Sequence, residues 1–176
     1  MSKGEQTREM ILARAARLFN RQGYAGSSLS AIMEETGLEK GGIYNHFASK
    51  EQLAVEAFDY AVKLHQQRIQ QLLAGKRHAV ERLLAMLSYF QDLVEDPLIA
   101  GGCPILNTAI EADDANPALR ESARAAMDNL RGTIERIIVR GVERRELRAG
   151  IDASASTTSI TCPTSALAVL RSKECA

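Results

Sequence analysis

Apolar residues recur along most of this chain at intervals of three and four, the spacing that lines one face of an α-helix. Over 7–22, Ile11, Ala15, Leu18 and Phe19 make such a stripe, while Arg8, Arg14, Arg17 and Arg21 lie mostly off it. Gly23 is placed to stop this first helix, because glycine accepts the backbone conformation with which many helices end. Leu29, Ile32 and Met33 predict a short second helix through Thr36, with Ser27 or Ser28 as its N-cap and Gly37 as its end. A third short helix is expected over 39–47. Ser49, with Gln52 three residues on, matches a capping box for a long fourth helix that reaches about Leu73 on Leu53, Ala57, Tyr60, Ala61 and Leu64.

A fifth helix over about 77–95 carries Val80, Leu83, Leu84, Leu87, Phe90 and Val94, and Pro97 follows as a stop. Gly101-Gly102-Cys103-Pro104 opens a sixth, which runs to about Glu111. Asn116 as cap and Pro117 at the first helical position start a seventh, with Leu119, Ala123, Met127, Leu130, Ile134, Ile137 and Ile138 in register almost to Arg145. No alternating strand pattern and no internal repeat interrupts the series. The fold class expected is all-α: an N-terminal three-helix helix-turn-helix domain plus a C-terminal helical bundle. From Ile151 the chain becomes rich in Ser and Thr, Pro163 splits the stretch, and only a short helix over about 164–171 is expected. The organisation expected is a three-helix head over 1–50, a helical body over 51–150, and an atypical tail over 151–176.

Composition narrows the classes. With 176 residues, 45% apolar and 25% charged, the chain can build a core without disulfide or metal staples. Cys103, Cys162 and Cys175 show no ligand spacing, so neither a metal site nor a cofactor is expected. The polar N-terminus lacks a signal peptide's apolar stretch, and no apolar run nears the ~20 residues that span a membrane. A reduced cytoplasmic setting with no membrane partner is expected. The formal net charge of zero argues against indiscriminate coating of nucleic acid. Yet residues 1–50 hold seven Lys/Arg against five Asp/Glu, a balance of +2 on a body of −2, which is compatible with specific DNA binding.

The second and third helices, joined at Gly37-Leu38 and braced by the first, match a helix-turn-helix, whose second member enters the major groove of double-stranded DNA. Lys40 and Lys50 bracket that member and can neutralise phosphates. Tyr44, Asn45 and His46 offer hydrogen bonds on its outer face. Ser28 and Ser30 stand at the start of the second helix, where backbone N–H groups also favour an anion. Gly41 and Gly42 remove side chains where a helix must approach a surface closely, and Glu39 begins the third helix. Phe47 reads as core. Tyr44 is either a phosphate-contacting hydroxyl or a core aromatic, with the first favoured. An enzyme is the competing class, but no nucleophile–base pair, P-loop or metal spacing is present, and His46, His65 and His78 assemble no site. A helical protein-interaction module is the other, and it would have no use for the third-helix lysines and Tyr44.

The run 27–53, SSLSAIMEETGLEKGGIYNHFASKEQL, resembles the signature of the TetR/AcrR family of bacterial repressors. Ser28, Ile32, Gly37, Lys40, Gly41, Tyr44, His46, Phe47, Ser49, Lys50, Glu51 and Leu53 carry the likeness, with Phe19 and Gly23-Tyr24 upstream. Gly42 departs from it, standing where the family often has Thr or Ser, which shifts recognition toward Lys40 and Asn45. The resemblance implies a homodimeric, ligand-responsive repressor on a near-palindromic operator, with a small-molecule effector held in the body and the fourth helix as lever. Met86, Tyr89, Phe90 and Cys103, with Leu106, Asn107 and Ile110, are the candidate pocket residues, mostly apolar with a few polar anchors. Plain bundle core is the alternative for each. Asn107 and Glu111, four apart, can anchor a polar group or face solvent. Cys103 is either an oxidant sensor or, by preference, a buried inert thiol. The family usually ends in two dimer-forming helices, and the tail here reads as a replaced ending, by frameshift or truncation. A dimer weaker or differently built is the expectation that follows.

Overall fold

The computed structural model describes residues 2–111 and 116–161. The helices are α1 (Lys3–Gly26), α2 (Leu29–Thr36), α3 (Lys40–Tyr44), α4 (Lys50–Leu73), α5 (Ala79–Glu95), α6 (Pro104–Glu111) and α7 (Pro117–Glu143). A further helical segment, α8, covers 153–161. The all-α architecture is as the periodicity predicts. None of the described helices is long and apolar enough to cross a membrane.

Several ends move. α1 starts four residues before the expected position 7 because Ser2 and Glu5 form a capping box, each satisfying the other's backbone N–H. The helix breaks at Gly23 (φ 76°, ψ 167°), a backbone region that essentially only glycine occupies. α3 is shorter than 39–47, although the N–H of Phe47 still donates to the Ile43 carbonyl at 3.2 Å. Glycines at 41 and 42 give the segment little intrinsic helicity, so its turns rest on packing. The tail is the larger correction. Asp152 caps α8 through its carboxylate, which accepts from the Ala155 N–H at 3.0 Å. Thr157 and Thr161 fill buried positions at helical spacing, where an aliphatic stripe would be sought. The helix expected over 164–171, with Cys162 and Cys175, lies outside the described residues.

Three clusters of buried side chains hold the helices together. The head cluster joins Ile11, Ala15 and Leu18 of α1, Ile32 of α2, Ile43, Phe47, and Leu53, Ala57 and Ala61 of α4. Ile99, from the loop after α5, is buried in the same cluster. A second cluster packs Ile69 and Leu73 against Met86, Tyr89 and Phe90 of α5 and Ile134, Ile137 and Ile138 of α7, with Ala153 and Ile160 at its edge. The third lies between, around Phe58, Val62, Ile105 and Leu119. α4 takes part in all three and so runs the length of the molecule. At 1.5 Å per residue its 24 residues span roughly 35 Å.

Candidate functional site

The head is fixed by local chemistry at each joint. The Ser28 Oγ accepts from the Ala31 N–H at 3.1 Å and lies 2.8 Å from the Ser30 Oγ. Gly37, at φ 66°, ends α2 with its N–H on the Met33 carbonyl at 2.8 Å. The chain then turns into α3, whose inner face is set by burial of Ile43 and, just beyond, Phe47. The Arg8 guanidinium covers the Phe47 ring at 4.8 Å, and Arg8 is itself paired with Glu56 of α4. At the entry to α4 the Ser49 Oγ caps the Gln52 N–H, while the Gln52 side chain reaches back to the N–H of Ala48 rather than of Ser49.

With Ile43 and Phe47 inward, Glu39, Lys40, Gly41 and Asn45 are exposed, and Gly42, Tyr44 and His46 are half-buried. The Lys40 ammonium stands 5.8 Å from the Tyr44 ring centroid. Beyond its chain neighbours and its own helix backbone, no atom of the described residues lies within 4 Å of the point where a Cβ on Gly41 would stand, so a surface can come close to that backbone. Glu39 occupies the N-cap of α3 without a side-chain cap bond. Lys50 is placed differently from Lys40. Its Nζ donates to the Tyr24 carbonyl at 2.8 Å and sits 4.2 Å from the Tyr24 ring centroid. Burial pushes its pKa down, and the carboxylate of Glu111 works against that.

Lys50 thereby borders a seam between head and body that sequence reasoning missed. Glu111, the last residue of α6, accepts from the backbone N–H groups of Tyr24 (2.8 Å) and Ala25 (2.7 Å), the two residues after the break in α1. Asn107, one turn earlier, donates to the Asn20 Oδ1 at 3.0 Å and the Gly101 carbonyl at 2.7 Å. Asn20 in turn donates to the carbonyls of Ala100 and Gly102, at 3.0 and 3.1 Å. Gly101 permits this approach, since a Cβ there would stand 2.5 Å from the Asn20 carbonyl oxygen. Asn107 and Glu111 share a face, as their spacing predicts, and that face meets α1.

The body contains a cavity of about 840 Å³ bounded by α4, α5 and α7. Val62, Ile69, Ile105 and Leu130 form apolar wall, and Gln66, Asn129 and Thr133 are among the polar groups. Tyr89 is the one pocket candidate from the sequence that lines it. Met86 and Phe90 are buried in the adjoining cluster, with Cys103 packed against that cluster. Leu106 is half-buried, and Ile110 is 61% exposed. Burial pushes the Cys103 thiol up, against backbone N–H groups of Leu106 and Ile105 that pull it down, and the residue as a whole is half-buried. His65 also lines the cavity. Its Nδ1 lies 3.0 Å from the Tyr89 hydroxyl, and its Nε2 is buried with no partner among the described residues. Burial lowers its pKa to about 4 and raises that of Tyr89, so both are neutral at pH 7. Among the described residues no cluster of three His, Cys, Asp or Glu could hold a metal ion.

Comparison with known proteins covers both halves. Residues 11–57 match the family described as bacterial regulatory proteins, tetR family, and residues 79–172 match the tetracyclin repressor-like C-terminal domain. A TetR transcriptional regulator from Chloroflexus aurantiacus J-10-FL superposes with a TM-score of 0.89 at 45% identity, covering 99% of this chain and 94% of that one. The transcriptional regulator LmrA of Bacillus subtilis is 35% identical over 127 residues, 72% of this chain and 67% of its own length. A transcriptional regulator from Saccharomonospora viridis, solved in complex with choline, has a TM-score of 0.81 at 27% identity, covering 94% of this chain and 84% of that one.

Proposed function

Since the chain belongs to the TetR family of bacterial regulatory proteins, we propose that it is a repressor that binds a near-palindromic operator as a homodimer and leaves it when a small molecule fills the body cavity. The observation that carries the DNA half is the outer face of α3. Ile43 and Phe47 are locked inward, and Lys40, Gly41 and Asn45 stay free to meet a groove, with Tyr44 beside them. A helix presented this way by a helix-turn-helix inserts into the major groove, and two copies reach half-sites about 34–36 Å apart, or a multiple. Ser28, Ser30, Glu39, Gly42, His46 and Lys50 complete the proposed contact set, with Lys50 leaving Tyr24 to reach a phosphate. The dimer is the part that the tail bears on. Size-exclusion with light scattering at micromolar concentration separates a robust dimer from a weak one.

The effector half rests on α4. Its first turns share the head cluster, and His65, Ile69 and Leu73 of its second half line the cavity. A ligand shifts such a molecule only by binding the DNA-incompetent arrangement better than the competent one, and moving the balance from 1:99 to 99:1 takes about 5.5 kcal/mol of preference.

Fluorescence anisotropy with the DNA just upstream of the coding region tests the reading. Tyr44→Ala and Lys40→Ala are expected to weaken binding with helicity intact, and each lost phosphate contact lowers the salt slope by about one unit. Absence of binding to any fragment near the gene at low salt overturns it.

A further inference from the structure

We propose that the body cavity is built for an amphipathic anion, with a phosphate-type or multiply charged head held by Lys76, Arg77, Arg82, Arg136, Arg140 and Arg144. This deepens the effector half of the function above and rests on the cavity being the effector site. The chain as a whole carries 22 basic and 22 acidic residues. The cavity lining breaks that parity: it holds those six cations and a single carboxylate, Glu146. Glu146 is already engaged, accepting from the Ala79 N–H at 2.7 Å. None of the six forms an ion pair among the described residues. Arg82 donates to the Lys76 carbonyl at 3.2 Å and Arg136 to the Thr133 hydroxyl at 2.9 Å, both neutral acceptors that leave the charge uncompensated.

Helix stability does not account for the cluster. Arg140 and Arg144 lie at the C-terminal end of α7, where the helix dipole favours cations. Lys76 and Arg77 stand just before α5 and Arg82 in its first turns, the end where the dipole disfavours them. Arg136, Arg140 and Arg144 also follow one another at intervals of four at the end of α7, stacking like charges that destabilise a helix by a few tenths of a kcal/mol per pair. A bound anion relieves both costs. In the same lining, Ile69, Ile105 and Leu130 offer an apolar wall. The volume of about 840 Å³ suits a ligand with a substantial apolar part. The unpartnered Nε2 of His65, deep in the lining, is a further polar group that such a ligand can satisfy.

Calorimetric titration of the full chain, without DNA, tests this with inorganic phosphate and with three decyl probes below their micellar or solubility limits: decyl phosphate, decanol and decyltrimethylammonium. Decyl phosphate is expected to bind at least about tenfold more tightly than either of the others, and more tightly than inorganic phosphate. Arg140→Gln/Arg144→Gln is expected to weaken decyl phosphate by about tenfold and leave decanol unchanged. Lys76→Gln/Arg77→Gln, in the loop between α4 and α5, repeats the test without touching a packed helix. Equal or tighter binding of the neutral or cationic probe overturns the proposal, as does decyl phosphate binding that both double variants leave intact. Because no DNA is present, loss of operator binding with the probe pattern intact would sink the repressor reading alone.

Discussion

Replacing Glu111 by alanine removes both hydrogen bonds that tie the end of α6 to the backbone after Gly23. The carboxylate spans the N–H groups of Tyr24 and Ala25 at 2.8 and 2.7 Å, and the positive φ at Gly23 takes those donors out of the run of α1. A hydrogen bond to a charged acceptor contributes about 1.5–3 kcal/mol, and partial exposure brings each of these toward about 1 kcal/mol. The expected loss is therefore about 2 kcal/mol. For a chain of this size that lowers the thermal midpoint by about 4–8 °C. Glu111→Gln keeps one acceptor and turns an amide donor toward the other N–H, so it should fall between. Calorimetry gives the global loss, and hydrogen exchange at Tyr24 and Ala25 gives the local one, with faster exchange expected at those two amides. A midpoint within about 1 °C of the parent, with unchanged protection at both amides, would refute this account of the seam.

The same joint yields a coupling prediction. Gly23→Ala forces a side chain into a region of the backbone map costing about 1–3 kcal/mol and sets its Cβ 2.4 Å from a Glu111 oxygen. In the Gly23→Ala/Glu111→Ala double variant the clash is gone, so the two losses measured by urea unfolding should sum to more than the double variant shows; strict additivity would mean that the residues do not meet. His65 predicts a pH dependence. The folded chain keeps the imidazole neutral to about pH 4, while the unfolded chain takes up its proton near 6.5. Between those values the unfolded state binds more protons, so stability rises with pH across the window and is lower at pH 4 by about 3 kcal/mol. His65→Asn, which leaves an amide to meet the Tyr89 hydroxyl, should flatten the slope between pH 4 and 6.5. Identical urea midpoints for parent and variant at every pH would dismiss the buried imidazole as its source.

Much of the head was legible because its joints are made of local chemistry. Ser28, Gly37 and Ser49 each sit where a cap or a left-handed turn is needed, and each side chain or backbone does that job with residues within four positions of itself. Asn116-Pro117 announced α7 in the same way. Ser2 and Glu5 carried an equally local signal, but no apolar stripe adjoins them, and a search keyed to the stripe passes over it. α8 was hidden by composition, since threonines occupy positions that periodicity looks for in aliphatic residues. The body was less legible. Asn107 and Glu111 were visible as one polar face, yet whether that face meets a ligand, solvent or α1 depends on where α6 lands. The basic cluster escaped notice because its members come from the α4–α5 loop, the start of α5 and the last turns of α7. Their like charge becomes a pattern only once those segments are neighbours.

Ile99 bears on how far the two halves can be exchanged. It belongs to the body by position, yet it is 3% exposed within the head cluster, beside Leu53, Ala57 and Ala61 of α4. A chimaera that takes only the first fifty residues to a foreign body leaves Ile11, Ile32 and Phe47 facing whatever that body supplies instead. On the proposed function, altering the DNA sequence read calls for changes at Lys40, Gly41 and Asn45, which are exposed and lie outside the head cluster. Transplanting the head requires the first three turns of α4 and the loop around Ile99 as well. In this chain the outer face of α3 can be edited as a surface, whereas moving the head is a repacking problem.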